Sequence, residues 1–452
     1  MAPVHRAPAT PETKGIPMKK AILFILAALL IAGCGGKKEE AKKDGVTEIV
    51  VWHPWGGTEK ELFDKVVAEY NRTHKNIRVH AVFVPNDTSN SQKIFTSVAA
   101  GKVPDLSVVD GPQVVSWAAQ GALMSIDKYM KQSGLTRDDF FHPAYDEMLY
   151  HGEVYALHYS ADPNFMMGYN KAIFREVGLD PEKPPKTIKE LEEVDRRVRK
   201  LDPKTGVITR MGMIPWQQNF PPNAMFIWGY AFGGSFYDEK THTVTADDPH
   251  IVRALEWIGA MAKQYDAKKI AAFTNGFGSK DQNAFYIGKI VMTCVGPGSL
   301  VDIQRYAPNL DYGVAPWPAP EDGEYGAAWM GGWCFGLLKG CKHPDEAWDF
   351  LRWLAADPVG TKVVFDIQKA MPAYVKSKAY EEMTPDSPYW PFYQILKTCK
   401  HQRPVMPAQA LLMGQLGIAV DKVIYGTDTA ENALKQVNDL VQKELNLRLA
   451  GD

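Results

Sequence analysis

The stretch TEIVVWHPWGG, residues 47–57, decides how the chain is read. Thr47 to Trp52 is a short apolar run rich in β-branched side chains, the pattern of a buried strand, and Gly56-Gly57 ends it. Leu62, Phe63, Val66, Val67 and Tyr70 then recur at helical spacing. Ile77, Val79, Ala81 and Phe83 alternate as a second strand, and Leu106 to Val109 forms a third that ends at Asp110. Strand, helix, strand, helix, strand predicts an α/β fold with a parallel sheet. Ligands on such sheets bind beyond the carboxyl ends of the strands. Two loops fall there, Trp55-Gly56-Gly57 and Asp110-Gly111-Pro112.

A chain of 452 residues exceeds one typical domain and predicts two to three core-forming units. Apolar residues at 45% and charged residues at 23% exclude a largely disordered chain. Lys+Arg 51 against Asp+Glu 53 leaves no basic excess, so no nucleic-acid partner is expected. The aromatic residues, 11% of the chain, exceed what a core needs, and they cluster in the loop-rich stretches 216–237, 316–333 and 389–393. Two later helices are marked by their starts. Asp248-Pro249 precedes the stripe Ile251, Leu255, Ile258, Met261, and Asp428, with Glu431 three residues on, precedes Leu434, Val437, Val441, Leu445.

The N-terminus addresses the compartment. Met18-Lys19-Lys20 leads into the uncharged run Ala21 to Gly33, and Cys34 follows. That run is shorter than the roughly 20 residues a spanning helix needs, and its positive start and small residues before the cut describe a secretory signal. Ile31-Ala32-Gly33-Cys34 resembles a bacterial lipobox, which implies a lipoprotein signal over 1–33, lipid on Cys34 and a flexible tether over 34–45. The expected location is outside the cytoplasm, anchored to a membrane facing the periplasm or the cell exterior.

Catalytic signatures are missing: the chain has no Walker A, GxGxxG, GxSxG or HExxH pattern. Ser125-Ile126-Asp127-Lys128 fits SxxK but lacks the companion SDN and KTG, and a serine starting a helix is the simpler reading. His142, His151 and His158 share no helix face at ligand spacing. No catalytic residue, metal or cofactor is therefore expected. Cys294, Cys334, Cys341 and Cys399 allow two disulfides or buried thiols.

Ten segments then occur in a recognisable order: VVWHPWGG (50–57), AAGKVPDLSVVDG (99–111), ALMSIDKYM (122–130), GEVYALH (152–158), GYNKAIFREVGLDPEKPPKTIKEL (168–191), GGSFYD (233–238), YGVAPWPAP (312–320), AAWMGGWCFGLLKG (327–340), KHPDEAWDFLRWL (342–354) and QRPVMP (402–407). In this order, behind a lipobox, they resemble the extracellular solute-binding proteins of bacterial ABC importers, family 1, of the maltose/trehalose type. The resemblance implies the two-lobed type II periplasmic-binding-protein fold, an N-lobe of 46–158 plus 332–375 and a C-lobe of 159–331 plus 376–452. It implies a monomer that closes on ligand by hinge bending and delivers a carbohydrate, a di- or oligosaccharide, to an ABC permease.

A sugar offers hydroxyls at its rim and C–H patches on its faces, so its site needs aromatic planes and planar polar groups. By position, the resemblance assigns ligand contact to Trp55, Gly56, Gly57, Glu59, Asp110, Gly111, Asp162, Asn164, Trp216, Gly331, Gly332, Trp333 and Arg403. Several have plain structural readings too: Asp110 as a helix cap, Glu59 or Glu61 as solvated first-turn residues, Trp216 as packing, Arg403 as a salt bridge. One departure stands out. Where several relatives carry an aromatic residue near Met292, this chain reads Thr293-Cys294-Val295-Gly296-Pro297-Gly298, so that plane is absent or supplied by Trp317 or Trp329. Glycerol-3-phosphate or another polyol is the alternative ligand within the fold. A secreted glycosidase built on two carboxylates is the alternative of another class.

Overall fold

The alternation in residues 47–53 becomes an edge-protected strand. The computed structural model describes residues 45–450, apart from 86–87, 162, 164–165, 220 and 328. Strand β1 (Thr47–His53) buries Thr47, Ile49, Val51 and His53 on one face. Helix α1 (Gly57–Thr73) starts at Gly57, whose φ of +53° suits glycine, and packs Phe63, Val66, Val67 and Tyr70 inward. β2 (Ile77–Phe83) and β3 (Leu106–Asp110) run parallel to β1 on either side. β4 (Leu157–His158) lies at the far edge of this sheet.

The chain then enters a second sheet, with β5 (Met166–Asn170) at its centre. α2 (Pro221–Ala231) is apolar all round and wholly interior. α3 (Pro249–Tyr265) is capped as its sequence predicts, with the Asp248 carboxylate accepting from the His250 N–H at 2.8 Å. β6 (Met292–Val295) and β7 (Tyr312–Ala315) pair antiparallel with β5, and α4 (Pro297–Tyr306) lies between them in sequence.

The return is made by β8 (Trp329–Met330) and β9 (Trp333–Leu337). β9 closes the first sheet, antiparallel to both β3 and β4, in the order β2-β1-β3-β9-β4. The helix pair α5 (Pro344–Ala356) and α6 (Pro358–Gln368) packs on the first core. β10 (His401–Gln402) pairs parallel with β8. α7 (Gln409–Ile424) and α8 (Ala430–Leu449) complete the second core. The cap of α8 differs from expectation: Thr429 accepts from the Asn432 N–H, while Asp428 binds the Thr429 N–H and the Asn432 amide.

Two hydrophobic cores result, and the chain passes from one to the other between Met166 and Met167 and again between Trp329 and Met330. Ala379, Tyr380, Phe392, Ile395 and Leu396 pack into the first core, so the last exchange comes later than residue 376, where the sequence placed it. Val295 and Leu300, flanking the start of α4, also touch the first core, which brings α4 against its partner lobe. Among the described residues no helix is long and apolar enough to cross a membrane. The expected signal peptide over 1–33, Cys34 and the expected tether up to residue 44 lie outside them.

Candidate functional site

β3 ends at Asp110 because Gly111-Pro112 opens a 3-10 turn and proline cannot donate to the ladder. Asp110 is the register partner of Trp333 on β9, and the Gly111 N–H donates to the Gly332 carbonyl at 3.1 Å. Two of the expected loops thus meet edge to edge. Trp333 and Asp110 are both partly exposed there.

Arg403 reaches Asp110 from just beyond β10, the strand that pairs with β8. Its Nη1 and Nη2 donate to the two carboxylate oxygens at 3.0 and 2.5 Å, a bidentate fork. The guanidinium side chain is 7% exposed and the carboxylate 25%. Trp329 covers one face of the guanidinium, 4.5 Å from ring centroid to Cζ. The position of Arg403 is fixed by its neighbours: Tyr230 on α2 donates to the Gln402 carbonyl at 2.6 Å and stacks on His401. Burial disfavours the charged guanidinium, but Asp110 and then Glu147 outweigh it and hold Arg403 above its ordinary range.

Beneath this pair lies one that sequence reasoning missed. Glu147 and His158 are completely buried, with His158 Nε2 at 3.0 Å from Glu147 Oε2. Burial raises the Glu147 carboxyl above the usual carboxylate range, opposed by His158 and Arg403 and reinforced by Asp110. The sequence shows one of these only as the end of GEVYALH, and nothing in its pattern joins Glu147 to His158.

The first-strand loop is placed differently from expectation. Trp55 is buried in an aromatic cluster, edge-on to Phe63 at 4.8 Å and to Trp333 at 6.4 Å, and stacked beside His53 at 5.6 Å. Trp333, and Phe83 packed on His53 at 6.2 Å, keep part of their surface open. Gly56 and Gly57 are exposed at the start of α1. Glu59 is an exposed residue of that first turn, yet the protein packed around its carboxyl, and then Asp302 of α4, raise its pKa. Arg305 of α4 bridges back, donating to the Thr58 hydroxyl at 3.0 Å and lying 4.0 Å from Glu61.

Trp216 sits in the turn Pro215–Gln217, buried in the second core. Trp317 and Trp329 are buried as well. Trp317 packs edge-on against Trp228 at 5.2 Å and Trp329 is covered by Arg403, so neither offers an open stacking plane in place of the one missing near Met292. Gly331 is buried against Trp329. Asp162 and Asn164 lie outside the described residues. None of the four described cysteines forms a disulfide, and desolvation raises the thiol pKa of Cys294, Cys334, Cys341 and Cys399 alike. In the SxxK segment, Lys128 lies over the Tyr129 ring at 4.5 Å. Among the described residues no cluster of His, Cys, Asp or Glu is arranged to hold a metal ion. A surface groove of about 1140 Å³, between Pro184–Arg196 and Trp257–Tyr265, shares no residue with this set.

Comparison with known proteins identifies the family and the fold. Residues 56–361, about two thirds of the chain, match the model for bacterial extracellular solute-binding protein. A maltotriose-binding protein of Pyrococcus abyssi is 27% identical over 408 residues, covering 89% of this chain and 83% of its own. The sn-glycerol-3-phosphate-binding periplasmic protein UgpB of Pectobacterium atrosepticum is 25% identical over 326 residues, 70% of this chain and 71% of its own. Among solved structures, CpMnBP1 with mannobiose bound superposes with a TM-score of 0.77 at 27% identity, covering 87% of this chain and 99% of that one. The same protein with mannotriose bound gives the same score.

Proposed function

Since this chain belongs to the family of bacterial extracellular solute-binding proteins, we propose that it captures a neutral di- or oligosaccharide between its lobes and hands it, unaltered, to an ABC permease. The observation that carries this reading is the neutralised Asp110–Arg403 fork beside Trp333. A partly exposed carboxylate with its charge balanced accepts hydrogen bonds from hydroxyls, and the adjoining indole offers a plane to C–H faces. A phosphate fits less well. Arg403 is already taken at both Nη atoms by Asp110, so an anion would meet a carboxylate beside a spent cation. This argues against the glycerol-3-phosphate alternative that the UgpB relatives suggest.

Two lobes whose last exchange falls between Leu396 and Met406, ligand contact at Asp110, Gly332, Trp333, Gly56, Gly57 and Glu59 rather than at the buried Trp55 and Trp216, the monomeric state and the lipid on Cys34 belong to the same proposal. So does the absence of catalysis: a glycosidase needs two carboxyl groups that both reach substrate, whereas Asp110 is tied to Arg403 and Glu147 is sealed from solvent.

Calorimetric titration with mannobiose, mannotriose, maltotriose and glycerol-3-phosphate, with product analysis of each mixture, tests the reading. Saturable binding of an oligosaccharide that is recovered intact is the expected result. Binding of glycerol-3-phosphate alone, or release of shorter sugars, overturns it.

A further inference from the structure

Glu147 has so far been given no work, and its surroundings assign it some. A methyl group built on Gly111 would fall 2.0 Å from Glu147 Oε2 and 3.0 Å from His158 Cε1. One built on Gly331 would fall 2.8 Å from the Trp329 ring and only at an ordinary contact distance, 3.4 Å, from Glu147 Oε1. Neither glycine has a positive φ, so backbone conformation does not demand glycine at either position. At 111 the Glu147 carboxylate demands it, by filling the space a side chain would need, and at 331 the Trp329 ring does so.

The electrostatics of the pocket narrow the role further. The charged or titratable groups acting on Glu147, or acted on by it, are His158 on β4, Asp110 on β3, Arg403 after β10, Cys334 on β9, Cys399 and Tyr230 on α2. Burial pushes the two thiols and the phenol upward, which leaves them neutral near pH 7. Asp110 and Arg403 cancel each other. His158 Nε2, 3.0 Å away, opposes the effect of burial on Glu147, and a Glu147 carboxylate left without it would be a second buried anion competing with Asp110 for Arg403.

We propose that Glu147 and His158 form a positioning pair beneath the ligand site: the carboxylate seats the Asp110-Gly111 turn against the Gly332 loop, and its contact with His158 keeps it from competing with Asp110 for Arg403. This rests on the carbohydrate-binding reading above. It makes affinity nearly independent of pH around neutrality.

The test compares wild type, His158→Gln and His158→Gln with Glu147→Gln, by calorimetry with mannotriose and maltotriose between about pH 5.5 and about pH 9. Wild-type affinity is expected to vary less than about twofold. In His158→Gln the stranded carboxyl ionises as pH rises and affinity falls at least about fivefold, and adding Glu147→Gln removes that slope. A flat His158→Gln profile, or a slope that survives in the double variant, overturns the proposal. The seating role is read without ligand. Gly111→Ala lowers the melting temperature of the wild type and costs far less in a Glu147→Ala background; an equal cost in both backgrounds overturns it. A wild type that binds neither sugar sinks the carbohydrate reading instead, and the pair is then decided by this second comparison.

Discussion

Asp110 and Arg403 should respond unequally when either is truncated. Asp110→Ala removes the carboxylate and strands a guanidinium that is only 7% exposed. Breaking a buried pair from one side costs about 3–5 kcal/mol, since the remaining charge cannot rehydrate. Glu147 is a second carboxylate within electrostatic reach of Arg403, so the lower end, about 3 kcal/mol, is expected. Arg403→Met strands a carboxylate that is 25% exposed and can recover water, so about 1–2 kcal/mol is expected. Replacing both, Asp110→Leu with Arg403→Met, leaves no charge and should return stability to within about 1 kcal/mol of wild type. Urea unfolding, followed by tryptophan fluorescence and circular dichroism together, reads the three variants. Oligosaccharide affinity should stay lost in the stable double variant, which separates binding from folding. An Asp110→Ala loss no larger than that of Arg403→Met would refute the reasoning, because the asymmetry follows directly from the exposures.

Other consequences are smaller. His53 is buried, its ring nitrogens have no hydrogen-bond partner, and burial lowers its pKa to about 4. The unfolded chain takes up this proton first, so stability present at neutral pH drains away as pH falls from about 6.5 towards 4, by no more than about 3 kcal/mol. His53→Phe should flatten that part of the melting-temperature profile; an unchanged slope would locate the titration elsewhere. Gly57→Ala meets no atom within 4 Å but must hold a φ of +53°, so a loss of about 1 kcal/mol in urea unfolding is expected, from backbone alone. Arg305→Ala removes an exposed bridge to Thr58 and Glu61. Its cost in stability should stay within about 1 kcal/mol, while release of bound oligosaccharide in stopped-flow fluorescence quickens a few-fold. Unchanged release would show that the bridge plays no part in holding the lobes together.

The strands and helices of residues 47–110 were legible because each carries its own period: alternation in 77–83, a 3.6-residue stripe in 62–70, a closed apolar run in 106–109. The cap of α3 was legible for the same reason, since an Asp-Pro start acts within three residues. The cap of α8 was misplaced by one residue because Asp428 and Thr429 are adjacent capping types, and it is Thr429 that accepts from the Asn432 backbone N–H while Asp428 takes the Thr429 N–H and the Asn432 side-chain amide. The aromatic loops misled more. Trp55, Trp216, Trp317 and Trp329 are of the type that lines a sugar site, yet all four are buried by neighbours distant in sequence.

The sequence by itself determined the local elements, the family likeness and the short list that contained Asp110, Trp333 and Arg403, since these depend on nearby residues or on ordered segments. Tertiary structure alone decided that Arg403 grips Asp110 across 293 residues, that β9 rather than a local strand completes the first sheet, and that Glu147 seals against His158 under both glycine loops. The physical reason is range. Periodicity and capping act over a few residues, whereas charge pairing and the burial of an indole depend on what the folded chain brings within a few ångströms.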